Sequence, residues 1–531
     1  MSALVRVDGL KVSFAHGTVV EGVGFELAPG ECVALVGESG SGKSVSARSL
    51  LGLVGTGSRV DAAALEIDGQ DARGFSERRW RGIRGRRIGY ILQDALSSLD
   101  PLRTVGQEVQ EAIRATGGPR GRAGRERALE LLRRTHVPDP ETRIDERPSQ
   151  LSGGQRQRAL IATALAGEPA VLIADEPTTA LDVSVQKQIL ALFGELKAQG
   201  IALLLISHDL AVVSQLADRV LVLQSGAVVE SGETAEVLSN PAHPYTRSLI
   251  EAAPRFEAGA GESASEALPD VEDVVLAVDD VHKTFRLPSG ARRHAVKGVS
   301  IAVRRGRSLG VVGESGSGKT TVARILAGFE TADAGTVRRV SDDPRDVQFV
   351  YQDPGSSFDP RWTVGRLLDE AIALRHPSLP KGEREARVVD WLERVGLSAA
   401  VVDRRPSSLS GGQRQRLGIA RALAVEPAVV VLDEPVSALD VAVQKQILEL
   451  IARLQAETGV AYLFISHDLG VIQKVCDEVV VLQGGEVREQ GPTAQVLGDP
   501  QHEYTRALID AVPALPRGNS PTLNESLDES R

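Results

Sequence analysis

Two stretches of this chain set a lysine and a hydroxyl behind a run of glycines: GESGSGKS at Gly37–Ser44 and GESGSGKT at Gly313–Thr320, 276 residues apart. Glycines let backbone N–H groups come close to an anion, and a helix start behind them adds partial positive charge. The ligand that suits such a cradle is the phosphate chain of a nucleotide. Gly37, Ser39, Gly40 and Gly42 line the first cradle, Lys43 is placed to reach the β- and γ-phosphates, and Ser44 to hold Mg²⁺. Gly313, Ser315, Gly316, Gly318, Lys319 and Thr320 repeat the set. The plain alternative, a glycine turn that binds nothing, does not account for two copies. Nor does it account for the context: ECVALV before the first loop reads as a strand and SVSARSLLGL after it as a helix.

Two further pairs of motifs extend this chemistry. VLIAD and VVVLD are apolar strands that end in a carboxylate and are followed at once by a second one. Asp175 and Asp433 stand where Mg²⁺ can be bound; Glu176 and Glu434 stand where a base could polarise an attacking water. LSGGQ, beginning at Leu151 and at Leu409, puts a serine and two glycines ahead of a helical stretch, another helix start ready for an anion. Taken singly, one could be a solvated sheet edge and the other a capped helix. Their recurrence beside both glycine loops argues for one chemistry written twice.

The elements that must position these groups are also duplicated. ADEPTTALDVSVQKQIL at Ala174–Leu190 is answered by LDEPVSALDVAVQKQIL at Leu432–Leu448, ISHDL recurs at Ile206 and Ile465, and HPYTRSLI at His243 is answered by HEYTRALI at His502. A repeat of this size in 531 residues means two homologous domains rather than a solenoid. The spacing differs in one place: Lys43 to Gln93 spans 50 positions and Lys319 to Gln352 spans 33, so copy one carries 17 extra residues in what reads as a peripheral strand region. Short apolar runs such as Ile201–Ile206 read as buried parallel strands, far below the roughly 20 residues of a membrane span. The expected domains are residues 1–254 and 274–513. Between them lies a Gly/Ala/Ser/Glu-rich linker, 255–273, with a flexible-chain span of roughly 25 Å, and after them a polar, disordered tail, 514–531.

Composition narrows the class. The net charge of −10 argues against a protein that wraps nucleic acid. Two cysteines, Cys32 and Cys476, are too few for a disulfide framework and suit a reducing compartment. The N-terminus has no basic start followed by an apolar run, so no signal peptide is expected. The arginines at 78, 79, 81, 84, 86 and 87 read as a solvated, charged surface.

Together these motifs resemble the ATP-binding cassette (ABC) ATPases over nearly the whole chain except linker and tail. The resemblance implies an α/β fold of two tandem cassettes, each a RecA-like core with a strand subdomain and a helical subdomain carrying LSGGQ. It also implies ATP and Mg²⁺, and closure of the cassettes head-to-tail within one chain. Ser410 and Gly412 would then face the ATP at Lys43, and Ser152 and Gly154 the ATP at Lys319. Gln93 and Gln352 match the glutamine that contacts Mg²⁺ and water and senses the membrane partner. His208 and His467 match the γ-phosphate histidine, Asp182 and Asp440 the loop that crosses between cassettes, and Phe14 and Phe285 the aromatic that stacks on adenine.

Within the family, GESGSGK, QDALSSLDPLRTVG, QDPGSSFDPRWTVG and HPYTRSLI look like the di/oligopeptide and nickel importers, here with two cassettes fused. That implies a peripheral ATPase at the cytoplasmic face of the membrane. Its implied partners are two transmembrane permeases and an extracytoplasmic solute-binding protein, with no nucleic acid. The usual cysteine-containing extension after HPYT is missing, so an iron–sulfur site has no basis. A soluble tandem-cassette translation factor is the competing expectation, but such proteins usually place a long, charged helical segment where this chain has a short acidic linker. Cassette ATPases of DNA repair carry coiled coils or zinc sites not visible here, and fused sugar importers commonly have one degenerate site.

Overall fold

The computed structural model describes residues 3–93, 98–179, 181–253, 256, 274–286, 292–437 and 439–513. The expected linker, apart from Phe256, and the expected tail lie outside these residues. Contacts divide the chain into two compact units, one holding Met1–Thr179 and Gln188–Ala253, the other Pro254–Val512 with the short stretch Ala180–Lys187.

In the first unit a six-stranded sheet runs Ala227–Glu233, Arg219–Gln224, Cys32–Val36, Ala202–Ile206, Val171–Asp175, Ile88–Ile91. All neighbours are parallel except the first pair. Three of these strands, Cys32–Val36, Val171–Asp175 and Ala202–Ile206, are buried at every position. This explains their continuous apolar runs: both faces of a parallel sheet are covered, so alternation is lost. The order matters more than the composition. Strands in register (Cys32 opposite Leu203, Val171 opposite Ala202) end at the same level, so the segments that follow them emerge side by side. Those segments are the glycine loop, His208, the Asp175–Glu176 pair and Gln93. This is the carboxyl-end crevice at which open α/β sheets bind ligands.

The second unit has the same sheet order: Glu486–Pro492, Glu478–Gln483, Ser308–Val312, Ala461–Ile465, Val429–Asp433, Val347–Val350. Each unit adds an antiparallel sheet. In the first it has five strands, built on Val5–Phe14 and Gly17–Leu27. In the second it has three, Arg292–Arg304, Val274–Arg286 and Ala334–Arg339. The length difference between the copies falls here, as expected. The extra residues of the first copy go into short strand pieces, Arg59–Asp61, Ala64–Ile67 and Gln70–Asp71, and the helix Glu77–Ile83. The arginine cluster sits on and beside that helix, and several of its charges are paired locally: Arg84 donates to Glu77 at 2.7 Å and to the Leu51 carbonyl at 2.8 Å.

A helical layer completes each unit, with Val105–Ala115, Gly121–Arg134 and Gly153–Ala164 in the first and Val364–Arg375, Lys381–Arg394 and Gly411–Leu423 in the second. Val105, Val109 and Ile113 recur every fourth residue and are all buried, a single apolar stripe facing the core. Among the described residues no helix is long and apolar enough to cross a membrane.

Candidate active site

Gly37 turns the chain sharply out of its strand. Its φ is 145°, and a Cβ there would lie 2.2 Å from the Leu223 carbonyl oxygen, so only glycine fits. Gly42, at φ 97°, starts the helix Lys43–Ser49. Lys43 is buried, and its Nζ donates to the carbonyls of Gly37 and Glu38, both at 2.7 Å. The ammonium is therefore held inside the loop, where an incoming phosphate would meet it. The Ser44 hydroxyl donates to Asp175 Oδ1 at 2.9 Å across the strand end. Asp175 is also held by Tyr90, whose hydroxyl donates to Oδ2 at 2.8 Å and accepts from Arg48 Nε at 3.2 Å.

Glu176 follows in the left-handed region, at φ 49°, a conformation a non-glycine residue adopts only when its surroundings hold it there. Its N–H is tied to the Ile206 carbonyl at 2.9 Å. The carboxylate accepts from Gln93 Nε2 at 2.7 Å and from the Thr179 hydroxyl at 3.2 Å, and its other oxygen lies 3.2 Å from His208 Nδ1. Burial alone would push the glutamate up and the histidine down. The hydrogen bond and charge they share outweigh it, so the Glu176 carboxyl is held below its ordinary value and the His208 imidazole above.

The second unit repeats the constellation with two changes. Lys319 Nζ donates to Gly313 at 2.7 Å and to Glu314 at 2.8 Å, and burial lowers its pKa. Glu434, at φ 47°, accepts from Gln352 at 3.0 Å, and His467 Nδ1 lies 3.1 Å from it. Ser437 stands where the first unit has Thr179, and its hydroxyl also accepts from Gln352, at 3.3 Å. Asp433 differs more. Position 349, equivalent to Tyr90, is phenylalanine, and among the described residues no hydrogen bond reaches the Asp433 carboxylate from Thr320 or any other group. Burial, with the neighbouring Glu434 charge, pushes Asp433 up to about 6.

Phe285 and the second glycine loop share a cavity of about 390 Å³, with Arg293, Gly316, Lys319 and Thr320 also on its wall. Phe285 is 37% exposed. Phe14 instead stacks on His16, with ring centroids 5.5 Å apart, and is partly buried against the first core.

Ser152 and Ser410 are exposed N-caps of their helices. Each accepts the N–H three residues on at 3.3 Å, and Gln155 and Gln413 return the bond to the serine N–H at 3.0 Å. Both LSGGQ helix starts are thus complete capping boxes. Gly412 packs so that a Cβ would meet Val443 Cγ1 at 2.5 Å. The Asp182 and Asp440 carboxylates accept from Val185 and Val443 N–H at 2.9 and 3.0 Å, capping the helices that follow.

Sequence reasoning did not single out Tyr90, Thr179, Ser437 or Arg293. Tyr90 had a visible signal: it occupies the position before IleLeuGln in YILQD where the second copy, FVYQD, has phenylalanine. Thr179 and Ser437 lie in the repeated segment after DEP, but nothing in one strand's composition says that their hydroxyls turn back on the glutamate.

Comparison with known proteins agrees with this geometry. The family model described as ABC transporter matches residues 20–179 and 296–437. A second, described as oligopeptide/dipeptide transporter, C-terminal region, matches 229–275 and 488–529. The chain is 42% identical to the peptidoglycan transport ATP-binding protein YejF of Agrobacterium fabrum, covering 96% of each. It is 40% identical to the glutathione import ATP-binding protein GsiA of Escherichia coli O157:H7, covering 96% of this chain and 89% of that one. A solved model of ribosome-bound archaeal Pelota and ABCE1 aligns with TM-score 0.62 at 23% identity, over 91% of this chain and 78% of that one, a likeness of fold alone.

Proposed function

We infer from one premise, that this chain belongs to the ABC transporter family, that it is the ATP-hydrolysing motor subunit of an importer for peptides or related small solutes. The observation that carries the reading is the doubled constellation of loop lysine, strand-end carboxylates, glutamine and histidine. The peptide-transporter C-terminal region in both halves supports the substrate class.

At each site the loop N–H groups and Lys43 or Lys319 bind the phosphates. Mg²⁺ suits the oxygen groups present: Ser44 and Asp175 converge at 2.9 Å, and the partly buried Asp433 carboxylate has no hydrogen-bond donor among the described residues and is pushed up to about 6, an environment that a cation would relieve. Ser44, Asp175 and Gln93 would hold it at one site and Thr320, Asp433 and Gln352 at the other. When bound it neutralises charge on the phosphate oxygens. Glu176 or Glu434 takes a proton from water as the water oxygen bonds to the γ-phosphorus and the bond to the β–γ bridging oxygen breaks, leaving ADP and phosphate. Gln93 or Gln352 fixes the carboxylate, and His208 or His467 exchanges its hold on the glutamate for the γ-phosphate. Phe285, on the wall of its cavity, would stack on adenine, and Phe14, which holds one ring face against His16, would offer adenine the other.

Residues 1–254 and 274–513 act as two cassettes that pair within one chain, so that Ser410 and Gly412 complete the site at Lys43, and Ser152 and Gly154 the site at Lys319. Two permeases dock at the cytoplasmic face of the membrane near Gln93–Thr104 and Gln352–Thr363, with an extracytoplasmic binding protein delivering solute. The test is reconstitution with the partner permeases in vesicles. ATP-dependent uptake of peptide, lost in Glu176→Gln/Glu434→Gln, is the expected result. Co-sedimentation with ribosomes and no co-purification with permeases would overturn the reading in favour of translation. Small-angle scattering of the double variant with Mg²⁺-ATP should show compaction at constant mass; a doubled mass would refute pairing within the chain.

A further inference from the structure

The repeated stretches HPYTRSLI and HEYTRALI play no part in the chemistry above, yet both reach into the site. The helix Pro244–Ala252 carries Tyr245, whose hydroxyl accepts the backbone N–H of Glu38 at 3.1 Å from 207 positions away. Glu38 is the second residue of the glycine loop, and its carbonyl accepts from Lys43. In the second unit Tyr504 accepts the Glu314 N–H at 3.1 Å from 190 positions away, and the Glu314 carbonyl accepts from Lys319. One loop residue is thus gripped on both sides in each copy, its carbonyl by the phosphate-binding lysine and its N–H by a distant tyrosine.

The letters around the tyrosine anchor it. His243 caps the helix, its Nδ1 accepting the Tyr245 N–H at 3.2 Å, and Glu230 accepts the N–H groups of Ala242 and His243 at 2.7 and 3.1 Å. His502 and Glu489 do the same, with the Tyr504 N–H at 3.0 Å and those of Gln501 and His502 at 2.8 and 3.1 Å. Both tyrosines are buried, so ring and hydroxyl are fixed in place. Burial pushes the Tyr504 phenol up to about 12, which keeps it neutral and adds no negative charge beside a phosphate site.

We propose that Tyr245 and Tyr504 are positioning residues of the phosphate loops: each hydroxyl fixes the Glu38 or Glu314 peptide so that the remaining loop N–H groups stay open to nucleotide, tying nucleotide affinity to the docking of the C-terminal helix. Packing of the ring alone would stabilise the helix without touching the loop, and the two roles separate experimentally. The nucleotide part of the proposal rests on the ATP reading above; the loop part does not.

The test uses the full chain with Tyr245→Phe, Tyr504→Phe and both, which keep the rings. Tyr462→Phe is the control, since its buried hydroxyl has no hydrogen-bond partner among the described residues. Hydrogen exchange of the nucleotide-free chain should quicken roughly 3- to 10-fold in Gly37–Lys43 for the first variant and in Gly313–Lys319 for the second, with the other loop and the control unchanged. Calorimetry with ADP should show roughly 3- to 10-fold weaker binding in the double variant, and KM for ATP should rise with kcat held. Unchanged exchange in the matching loop, or exchange that rises throughout the unit, would overturn the proposal. Faster loop exchange with ADP affinity intact would overturn the tie to nucleotide. No ADP binding by the unaltered chain would refute the ATP reading instead.

Discussion

The sites at Asp175 and Asp433 share their loops, glutamates, glutamines and histidines almost atom for atom, yet the strand-end aspartate is set differently in each. In the first unit a chain from Arg48 through Tyr90 reaches one carboxylate oxygen and Ser44 reaches the other. In the second, Phe349 stands in for the tyrosine and packs against Tyr351, with ring centroids 4.6 Å apart, and Asp433 is left beside Glu434 without a donor among the described residues. Two donors, the Tyr90 phenol and the Ser44 hydroxyl, therefore separate an aspartate fixed at both oxygens from one that no described hydrogen bond holds. Matching motifs do not make matching sites: the hydroxyl three residues upstream of the glutamine and the hydroxyl behind the loop lysine together decide how the aspartate is held.

The comparison can be broken most strongly at the glutamates. Glu176→Gln should lower turnover at the Lys43 site by about 10²–10⁴-fold, and Glu434→Gln should do the same at the Lys319 site. Independent sites leave each single variant about half the total rate; sites that must both fire lose nearly all of it in either variant. Steady-state ATPase assays decide, and one variant at wild-type rate with the other nearly dead would mean that one site is silent.

A smaller effect separates the aspartates by pH. Because the Asp433 carboxyl is held up at about 6, its ionised form costs the nucleotide-free fold stability at neutral pH. Its contribution is fully present below about pH 4, the unfolded value, and is lost as pH rises through about 6. Denaturant titrations should show wild type gaining on Asp433→Asn, on the order of 1–2 kcal/mol, between pH 7 and 4.5. A difference that stays flat over that range would remove the distinction.

Tyr90→Phe should convert the first site towards the second. Mn²⁺ titration followed by electron paramagnetic resonance, with a non-hydrolysable ATP analogue, should resolve two classes of cation site in the wild type. The tighter class should weaken at least roughly 10-fold in Tyr90→Phe, the value of one hydrogen bond to a charged group at its lower end. Two classes surviving unchanged would assign the asymmetry elsewhere.

The smallest difference is expected at LSGGQ, where the units agree. Ser152→Ala and Ser410→Ala should each cost about 0.5–1 kcal/mol of unfolding free energy, since both remove the same exposed cap. Unequal costs, read by chemical denaturation, would show that the two capping boxes are not equivalent in solution.

Much of this was legible in the sequence. The strand and helix flanking each glycine loop, the carboxylates ending VLIAD and VVVLD, and the capped LSGGQ helices all lie where their local patterns place them. Local signals suffice there because strand, turn and cap chemistry act over a few residues. The 17-residue length difference also resolved as extra strand pieces and a helix outside the parallel sheet. Less legible were Thr179 and Ser437, whose hydroxyls turn back on a glutamate held at positive φ. Nothing in the residue types announces that turn.

By itself the sequence determined that every reacting group comes twice and in the same order, because those groups sit inside motifs whose spacing is their signature. Only the tertiary structure decided which distant groups meet. Tyr90 finds Asp175 across 85 positions and Tyr245 finds Glu38 across 207. The reason is strand order. Cys32–Val36 lies between Ala202–Ile206 and Arg219–Gln224, and Ile88–Ile91 pairs with Val171–Asp175, so the neighbours at the carboxyl edge are set by crossover connections. Hydrophobic periodicity reports which face of a strand is buried, but it carries no record of which strand lies alongside.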